Sequence, residues 1–275
     1  MDGYEEGCLA GTKVNLRRFV SRSIAEAVSI AHPVTASVTG LRILAYHAVG
    51  SDALGDQLGI FSISPGLFRR HMDLLATEFH DYTVPLAVGA TVGVDGGVAI
   101  TFDDGYRDNL LVAAPLLAER ELPFTVYVSS GLLREGHPGF LTPDELRKLA
   151  EIPGATIGAH GATHVPLTNC DDRRLREELE SSRAWLEDVI GREVTTMAYP
   201  YGAVDGRVRR AVDRAGYTLA ECSYPAINGS GRDRLLLGRT TILGDDGMRV
   251  FRQKLRGHWD WYRFLGRDPE RDQAI

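Results

Sequence analysis

The 275-residue chain has an ordinary globular composition, with 44% hydrophobic and 25% charged residues, and it allows one large α/β domain or two small ones. Its net charge of −6 argues against a general electrostatic grip on nucleic acid or an anionic membrane. We therefore expect no nucleic-acid partner and a neutral substrate. The sequence does not indicate an oligomeric state.

Three cysteines and the absence of a long apolar run bear on where the protein works. Cys8, Cys170 and Cys222 are odd in number and form no C-x-x-C pair, so they predict neither a disulfide framework nor a thiolate metal site. No apolar run approaches the roughly 18 residues of a membrane span, so no transmembrane segment is expected. Acidic residues stand near the N-terminus where a signal peptide carries positive charge, which predicts a cytoplasmic protein.

The first predicted element is an amphipathic helix over Val14–Ile30, which ends before His32-Pro33. One face carries arginines, so the helix could lie on a membrane surface or bind a partner. Packing against the protein's own main domain is the favoured interpretation.

From Leu41 onward, short β-type runs alternate with helical patterns. The predicted strands are Leu41–Tyr46, Val98–Phe102, Phe124–Val128, Thr156–Ala159, Thr195–Tyr199, Tyr217–Ala220 and Leu235–Ile242, with Tyr82–Val84 as a weaker candidate. Helix signals lie between them: Ser64-Pro65, the capping box Thr142–Glu145, and a long pattern over Asp171–Ile190 that stops at Gly191.

This alternation indicates a parallel α/β fold. No G-x-G-x-x-G motif follows a strand, which argues against a dinucleotide-binding sheet. We predict a distorted (β/α)7–8 barrel, a plan in which chemistry takes place at the C-terminal ends of the strands.

The first polar strand end is Asp103-Asp104, directly after the buried run Val98–Phe102. Two carboxylates at the end of an apolar strand are unfavourable unless they are paired, hydrogen-bonded or bound to metal. A helix cap followed by a turn explains the position equally well on this evidence alone.

The second polar strand end carries His160 and His164. Histidines four residues apart can bind one metal ion, and two histidines with one carboxylate form an open zinc site. Such a pair is a weak signal alone, because it also arises by chance. Gly161 follows the first histidine and excludes the H-E-x-x-H zincin motif.

The third polar strand end is Pro200-Tyr201-Gly202, a turn whose backbone N–H could face a developing oxyanion. A plain strand-to-helix connection is the alternative. In a parallel barrel all three strand ends meet at the same rim, so we expect these groups to lie together.

Taken in order, three motifs resemble those of the polysaccharide deacetylase family (NodB-homology, carbohydrate esterase 4). They are Thr101-Phe102-Asp103-Asp104-Gly105, His160-x-x-x-His164 and Tyr199-Pro200-Tyr201-Gly202. Upstream, Tyr46-His47 and Ser64-Pro65-x-x-Phe68-x-x-x-Met72 are similar to the poly-N-acetylglucosamine deacetylase branch. The resemblance implies an N-terminal helical extension over 1–40, a catalytic domain over 41–245, and a C-terminal tail over 246–275 that packs on the domain or extends from it.

The resemblance also implies a chemistry. Asp104, His160 and His164 would bind one divalent metal ion, with zinc the first expectation and cobalt or nickel as alternatives. Asp103 would be the general base, and the backbone N–H of Tyr201 would stabilise the oxyanion. The expected substrate is an N-acetylated carbohydrate, and the expected product is acetate.

Two positions depart from the family pattern. Ala198 stands where many members carry an arginine that steadies the base, and Arg239 is a possible substitute from another strand. No late L-x-H motif supplies a histidine general acid. His47 is a candidate proton donor, although a structural role is as well supported, and His258 lies beyond the last predicted strand.

Other functions remain open at this point. The same residues would suit a metal-dependent amidase acting on a non-sugar amide, and the domain could also bind glycans or a partner without catalysis. A glycosidase that uses Asp103 and Asp104 is disfavoured, because adjacent residues do not readily flank a sugar bond from opposite sides.

Overall fold

Seven parallel strands form one curled sheet in the computed structural model, which describes residues 20–31, 40–92, 96–266 and 268–270. The strands are β1 (Leu41–Tyr46), β2 (Gly97–Phe102), β3 (Phe124–Val128), β4 (Ala155–Ala159), β5 (Thr196–Ala198), β6 (Leu219–Glu221) and β7 (Thr240–Thr241). Their order is β6-β5-β4-β3-β2-β1-β7, and every pairing is parallel. The predicted distorted (β/α) barrel is confirmed as a half-barrel of seven strands.

The segment between β6 and β7 spans the gap between the two edges of the sheet. Leu237 bridges Glu221, its N–H donates to the Ala220 carbonyl at 2.9 Å, and its carbonyl accepts from the Cys222 N–H at 2.8 Å. Residues 235–239 therefore lie along β6, while β7 pairs with β1.

The prediction of a continuous strand over Leu235–Ile242 was wrong in its length, because only Thr240–Thr241 is a strand. The Gly238 backbone pairs instead with the side chain of Asn228, whose Oδ1 accepts from the Gly238 N–H at 2.8 Å and whose Nδ2 donates to its carbonyl at 2.9 Å. A side chain thus takes hydrogen bonds that a neighbouring strand would otherwise supply.

Most of the helices cover the outside of the sheet. They are α1 (20–31), α2 (Pro65–Glu78), α3 (Leu86–Val92), α4 (Ala114–Ala118), α5 (Ser130–Arg134), α6 (Pro143–Ala150), α7 (Asp172–Arg176), α8 (Ser182–Ile190), α9 (Gly206–Arg214) and α10 (Met248–Leu255). A π-helical turn over Asn109–Ala113 leads into α4, and another over Glu177–Ser181 joins α7 to α8. Short 3-10 turns occupy His80–Tyr82, Leu167–Asn169, Pro200–Gly202 and Asp260–Leu265.

The helix boundaries follow the capping signals of the sequence. Ser64 Oγ accepts from the Leu67 N–H at 3.3 Å. Thr142 and Glu145 make both hydrogen bonds of the predicted capping box. The weak strand predicted at Tyr82–Val84 was wrong: it contributes only an isolated bridge between Thr83 and Val98, because a 3-10 turn occupies its start.

The two faces of the sheet differ in what they bury. The outward side chains pack against the helices in the larger hydrophobic cluster. The inward side chains of the strands form a smaller cluster with Leu86 of α3 and with Leu237; its strand members are Leu41, Ile43, Ala99, Tyr127, Ala198 and Leu219. Alternation along β2 continues from Ala99 through Thr101 to Asp103, so Asp103 falls in the inward set at the carboxyl end of its strand.

Helix α1 packs outside the half-barrel against α10. Arg22 pairs with Asp245 at 2.7 Å, the Gln253 amide donates to Glu26 at 3.0 Å, and Ala25 is fully buried. Positions 14–19 of the predicted helix lie outside the described residues. Within the described ranges, no helix is long and apolar enough to cross a bilayer. The domain limits and the cytoplasmic location stay predictions.

Removal of residues 1–33 should leave the half-barrel folded and spare the predicted metal site, because α1 contacts the outer helical layer. Circular dichroism and metal analysis of the purified truncation would test this. A truncation that keeps native secondary structure but loses metal affinity would contradict it.

A buried histidine network joins β1, α2 and the start of α10. His71 is fully buried, with Nδ1 3.1 Å from the Tyr46 hydroxyl and Nε2 2.9 Å from the Asp246 carbonyl. Because a carbonyl only accepts, Nε2 carries the proton and Nδ1 accepts from Tyr46. Phe251 stacks on the ring at 3.8 Å. Burial lowers the pKa of His71 to about 4, so the network requires a neutral imidazole.

This network predicts a loss of stability in mild acid. Between about pH 6.5 and 4 the unfolded chain binds a proton that folded His71 excludes, so the free energy of unfolding should fall by up to about 1.4 kcal/mol per pH unit from this residue. Urea unfolding from pH 7 to pH 4.5 would measure the slope. His71→Gln should make the slope shallower by the contribution of this residue, while buried His160 still contributes, and the exposed control His80→Gln should leave the slope unchanged. An unchanged slope in His71→Gln would refute the assignment.

Candidate active site and metal centre

The two carboxylates at the end of β2 have different partners. The Asp103 N–H donates to the Tyr46 carbonyl at 3.0 Å, which extends the ladder between β1 and β2 by one bond. Asp104 then has a φ of 75°, in the left-handed region. The chain turns there, so the Asp103 carboxylate pairs with Arg239 while the Asp104 carboxylate faces two histidines.

Asp104, His160 and His164 form a candidate metal site. Asp104 Oδ1 lies 3.4 Å from His160 Nε2 and 3.2 Å from His164 Nε2, and the three candidate ligand atoms lie within 4.8 Å of one another. Ligands about 2.0–2.1 Å from a tetrahedral zinc ion are about 3.3 Å apart. The residues therefore have the donor types and spacing of an open two-histidine, one-carboxylate site.

The orientation of His160 supports this interpretation. Its Nδ1 lies 2.8 Å from the Ala198 carbonyl, so Nδ1 carries the proton and the Nε2 lone pair faces Asp104. Asp104 Oδ1 is buried and makes no hydrogen bond of ordinary geometry among the described residues. A cation would satisfy both acceptors.

The pKa values of the two histidines are shifted in opposite directions. Burial lowers the pKa of His160 to about 4, which keeps the ring neutral as a metal ligand must be. Burial also opposes the charge of His164, but the facing Asp104 carboxylate outweighs burial and raises the pKa of that ring.

Backbone strain is concentrated at this rim. Of the four non-glycine residues with positive φ in the described part of the chain, three are predicted site residues: Asp104 at 75°, His164 at 53° and Tyr201 at 59°. The fourth, Glu121, follows α4. Strained conformations persist where surrounding contacts over-determine them, and they cluster at functional sites.

Asp103 and Arg239 form a buried bidentate ion pair. Arg239 NH1 lies 2.6 Å from Oδ1 and NH2 lies 2.8 Å from Oδ2. Burial alone would raise the pKa of Asp103, but Arg239, followed by His160 and His47, holds that pKa well below its usual range. Arg239 reaches Asp103 from the segment beside β6. The Ala198 carbonyl accepts a hydrogen bond from His160, but Ala198 supplies no charged side chain to Asp103.

Glu221 is a site-adjacent carboxyl that sequence reasoning missed. It is fully buried at the end of β6, with Oε2 3.5 Å from Arg239 NH1. Burial raises the pKa of Glu221 to about 8, against the opposing effect of Arg239. At neutral pH most of this carboxyl is therefore protonated, and Asp103 is the main countercharge of Arg239. The sequence signal for Glu221 was its position two residues after the inward-facing Leu219, which places an acidic side chain on the inner face.

His47 reaches the same rim from the end of β1. Its Nε2 lies 3.9 Å from Asp103 Oδ2, beyond hydrogen-bond distance, and its ring packs on Phe61 at 4.7 Å. Asn109 Nδ2 donates to the His47 carbonyl at 2.9 Å and so fixes the backbone there. His258 is buried after α10, which belongs to the helical layer.

Tyr201 is placed beside His164. The side chain is 66% exposed and its ring centre is 4.8 Å from the His164 ring. The Gly202 N–H donates to the Tyr199 carbonyl at 2.8 Å, whereas the Tyr201 N–H has no acceptor among the residues that the structure describes. Glycine is required at 202, because a Cβ there would stand 2.6 Å from the Ser223 backbone nitrogen.

Comparisons with known proteins identify the enzyme class to which this fold and rim belong. Residues 93–220 match the sequence profile of the polysaccharide deacetylase family. A relative named for the same activity, YxkH of Bacillus subtilis strain 168, is 24% identical over 207 residues, covering 74% of this chain and 71% of its own.

Solved structures share the fold. A polysaccharide deacetylase from Bacillus cereus superposes with a TM-score of 0.68 at 25% identity, over 79% of this chain and 69% of that one. The Streptococcus pyogenes deacetylase PplD, solved with acetate, has a TM-score of 0.69 at 21% identity, over 79% and 98% of the two chains. Residues 93–220 are thus a domain of the polysaccharide deacetylase family, a family of hydrolases that act on amide bonds of acetylated sugars.

The buried ion pair predicts a large effect on stability. Arg239→Leu leaves Asp103 as a buried charge without its partner and should lower the free energy of unfolding by about 3–5 kcal/mol. Urea unfolding of the metal-free protein would measure the loss.

A double variant identifies the source of the stability loss in Arg239→Leu. Asp103→Asn added to Arg239→Leu should restore part of the stability, because a neutral amide needs no countercharge. The exposed control Arg210→Leu should change stability by no more than about 0.5 kcal/mol. If Asp103→Asn restores nothing, the unpaired carboxylate is not the cause.

Proposed function

We propose that this protein is a metal-dependent deacetylase that removes N-acetyl groups from an N-acetylated sugar or polysaccharide and releases acetate. The observation that carries the proposal is the Asp104–His160–His164 cluster beside an arginine-paired Asp103 at one rim. These three residues would hold one divalent ion, with zinc as the first expectation and cobalt or nickel as alternatives. When bound, such an ion acidifies water and polarises a carbonyl oxygen.

Asp103 is proposed as the general base. It would take a proton from the water that attacks the acetyl carbonyl carbon. Its bidentate pairing with Arg239 keeps the carboxylate ionised at neutral pH and fixes its orientation. A low pKa also makes it a weak proton acceptor, so the acidity of the attacking water has to compensate.

The backbone N–H of Tyr201 is proposed as the oxyanion donor. This N–H has no acceptor among the described residues and lies in a strained turn, and both observations support the role. A preorganised donor of this kind needs no reorganisation during the reaction, because the turn already fixes its direction.

Breaking the C–N bond requires a proton on the departing nitrogen. His47 is proposed as the donor, because its Nε2 stands 3.9 Å from Asp103 at the same rim and it is not part of the metal cluster. The amine leaves as the free sugar amine, and acetate is the other product.

The substrate proposed first is an oligomer of N-acetylglucosamine, from the resemblance of the upstream motifs to that branch. Mass spectrometry of chitooligosaccharides after incubation should show losses of one acetyl group each. A cyclic ureide tested in parallel separates this activity from an amidase on non-sugar amides. Acetate release from neither substrate would favour a domain that only binds glycans or a partner.

The adjacent aspartates should do different work. Asp104→Ala removes one of three protein ligands and should lose metal affinity. Asp103→Asn preserves shape and the ligand set, so it should keep the metal, while its deacetylation rate falls by around 10²–10⁴-fold, the usual contribution of a positioned base.

Metal content and rate measured on both purified variants would test this division. A near wild-type rate in Asp103→Asn would remove the base assignment. Equal metal loss in the two variants would show that both carboxylates hold the ion.

A further inference from the structure

The loop that carries both histidines has its backbone held by polar groups on three sides. Beyond β4, the His160 carbonyl accepts from Ser129 Oγ at 2.9 Å and the Gly161 carbonyl accepts from Ser182 Oγ at 2.9 Å. The Ala162 carbonyl accepts from the Gly131 N–H at 2.6 Å. These contacts hold the carbonyl side of the loop.

Glu178 holds the opposite, N–H side. One carboxylate oxygen accepts from the backbone N–H groups of Ala162 and Thr163, each at 2.8 Å, and the other accepts from the Thr163 hydroxyl at 2.5 Å. The residue is fully buried. A buried carboxylate that makes three hydrogen bonds into one loop fixes that loop strongly, because each bond is charge-assisted.

The residues around Glu178 support its contact with the histidine loop. Arg174, one helical turn earlier, pairs with it at 2.8 Å and supplies the countercharge. The π-helical turn Glu177–Ser181 places Glu178 and Ser182 on the same side, so both reach the loop. A Cβ at position 161 would stand 3.2 Å from Glu178 Oε2, and Gly161 has a φ of 70°, so glycine permits this approach.

We propose that Glu178 is a positioning residue for the metal ligands: it fixes the loop so that His160 and His164 face Asp104 at the distances observed. The inference rests on the proposed function, since it needs a metal at the cluster. His164 requires a left-handed backbone, and Glu178 fixes the chain two positions before His164, with only Thr163 between Ala162 and His164.

A purely structural role would have a different signature. A buried carboxylate that served only the fold would lower the stability of the protein when removed, and the folded protein would keep its metal affinity. A positioning residue weakens metal binding by the folded protein itself, because groups that orient ligands typically contribute 10–100-fold to affinity.

The test measures zinc affinity of the full chain by competition with a chromophoric chelator, and unfolding of the metal-free protein by urea. Glu178→Ala should bind zinc about 10–100-fold more weakly at concentrations of urea where it is fully folded. Glu178→Gln should recover most of the affinity, because its amide oxygen can still accept from both N–H groups. The matched control Glu180→Ala, an exposed acid on the same turn, should bind as wild type.

Substitution with cobalt adds a spectroscopic measurement of geometry. The visible absorption of the cobalt form should change in Glu178→Ala and stay the same in Glu180→Ala. If Glu178→Ala does not fold, Thr163→Val removes the hydroxyl contact while Glu178 stays in place, and it should weaken zinc binding in the same direction.

The outcomes separate the two proposals. Failure of the wild-type protein to bind zinc, cobalt or nickel would overturn the metal-dependent function. The positioning role alone would be overturned if the wild type binds metal normally and folded Glu178→Ala has the same zinc affinity. If Glu178→Ala does not fold, an unchanged zinc affinity in Thr163→Val would overturn it.

Discussion

The buried pair between Arg239 and Asp103 is the interaction on which the arrangement of the rim depends. Burying a carboxylate at the inner end of β2 is unfavourable unless its charge is paired. The Arg239 guanidinium pairs it through two parallel hydrogen bonds. Because Arg239 comes from the segment beside β6 and Asp103 from β2, the pair also joins distant parts of the curled sheet across its interior. The same contact therefore fixes the orientation of the proposed base and links the segment that spans the open edge to the centre of the fold.

The remaining geometry follows from parallel strands and the two-residue period of their side chains. Strand ends meet at one rim, and alternation selects which residues at that rim belong to the inward set. Asp104 and His164 then use left-handed backbone to aim side chains that regular strands would direct elsewhere. The candidate metal cluster is thus assembled by turns that follow the strands. The polar contacts around those turns, including the Glu178 carboxylate, maintain conformations that are unfavourable in isolation.

Much of the fold and of the candidate site could be predicted from the sequence, because strand ends, helix caps and the paired motifs are local patterns. The fold class followed from the alternation of strands and helices, and the candidate ligands from residues close in the chain. Arg239 was only a possible partner, because its contact with Asp103 joins residues 136 positions apart. Glu178 was missed because a glutamate in a charged helical segment resembles a solvated face; its spacing from Leu175 and Leu179 on the buried side was the available signal. The last strand is shorter than predicted because the Asn228 side-chain amide pairs with the Gly238 backbone. A contact of this kind leaves no periodic pattern in the sequence.

The filling of the inner face determines how molecules can reach the rim. Below the site, Tyr127 occupies the interior so closely that a Cβ at position 158 would stand 2.4 Å from its ring, and the neighbouring inward residues are buried. Among the described residues, side chains therefore fill the inner face beneath the rim. The exposed Tyr201 and the partly exposed His164 mark the accessible side of the Asp104 cluster, so the arrival of one molecule and the departure of another would share that side.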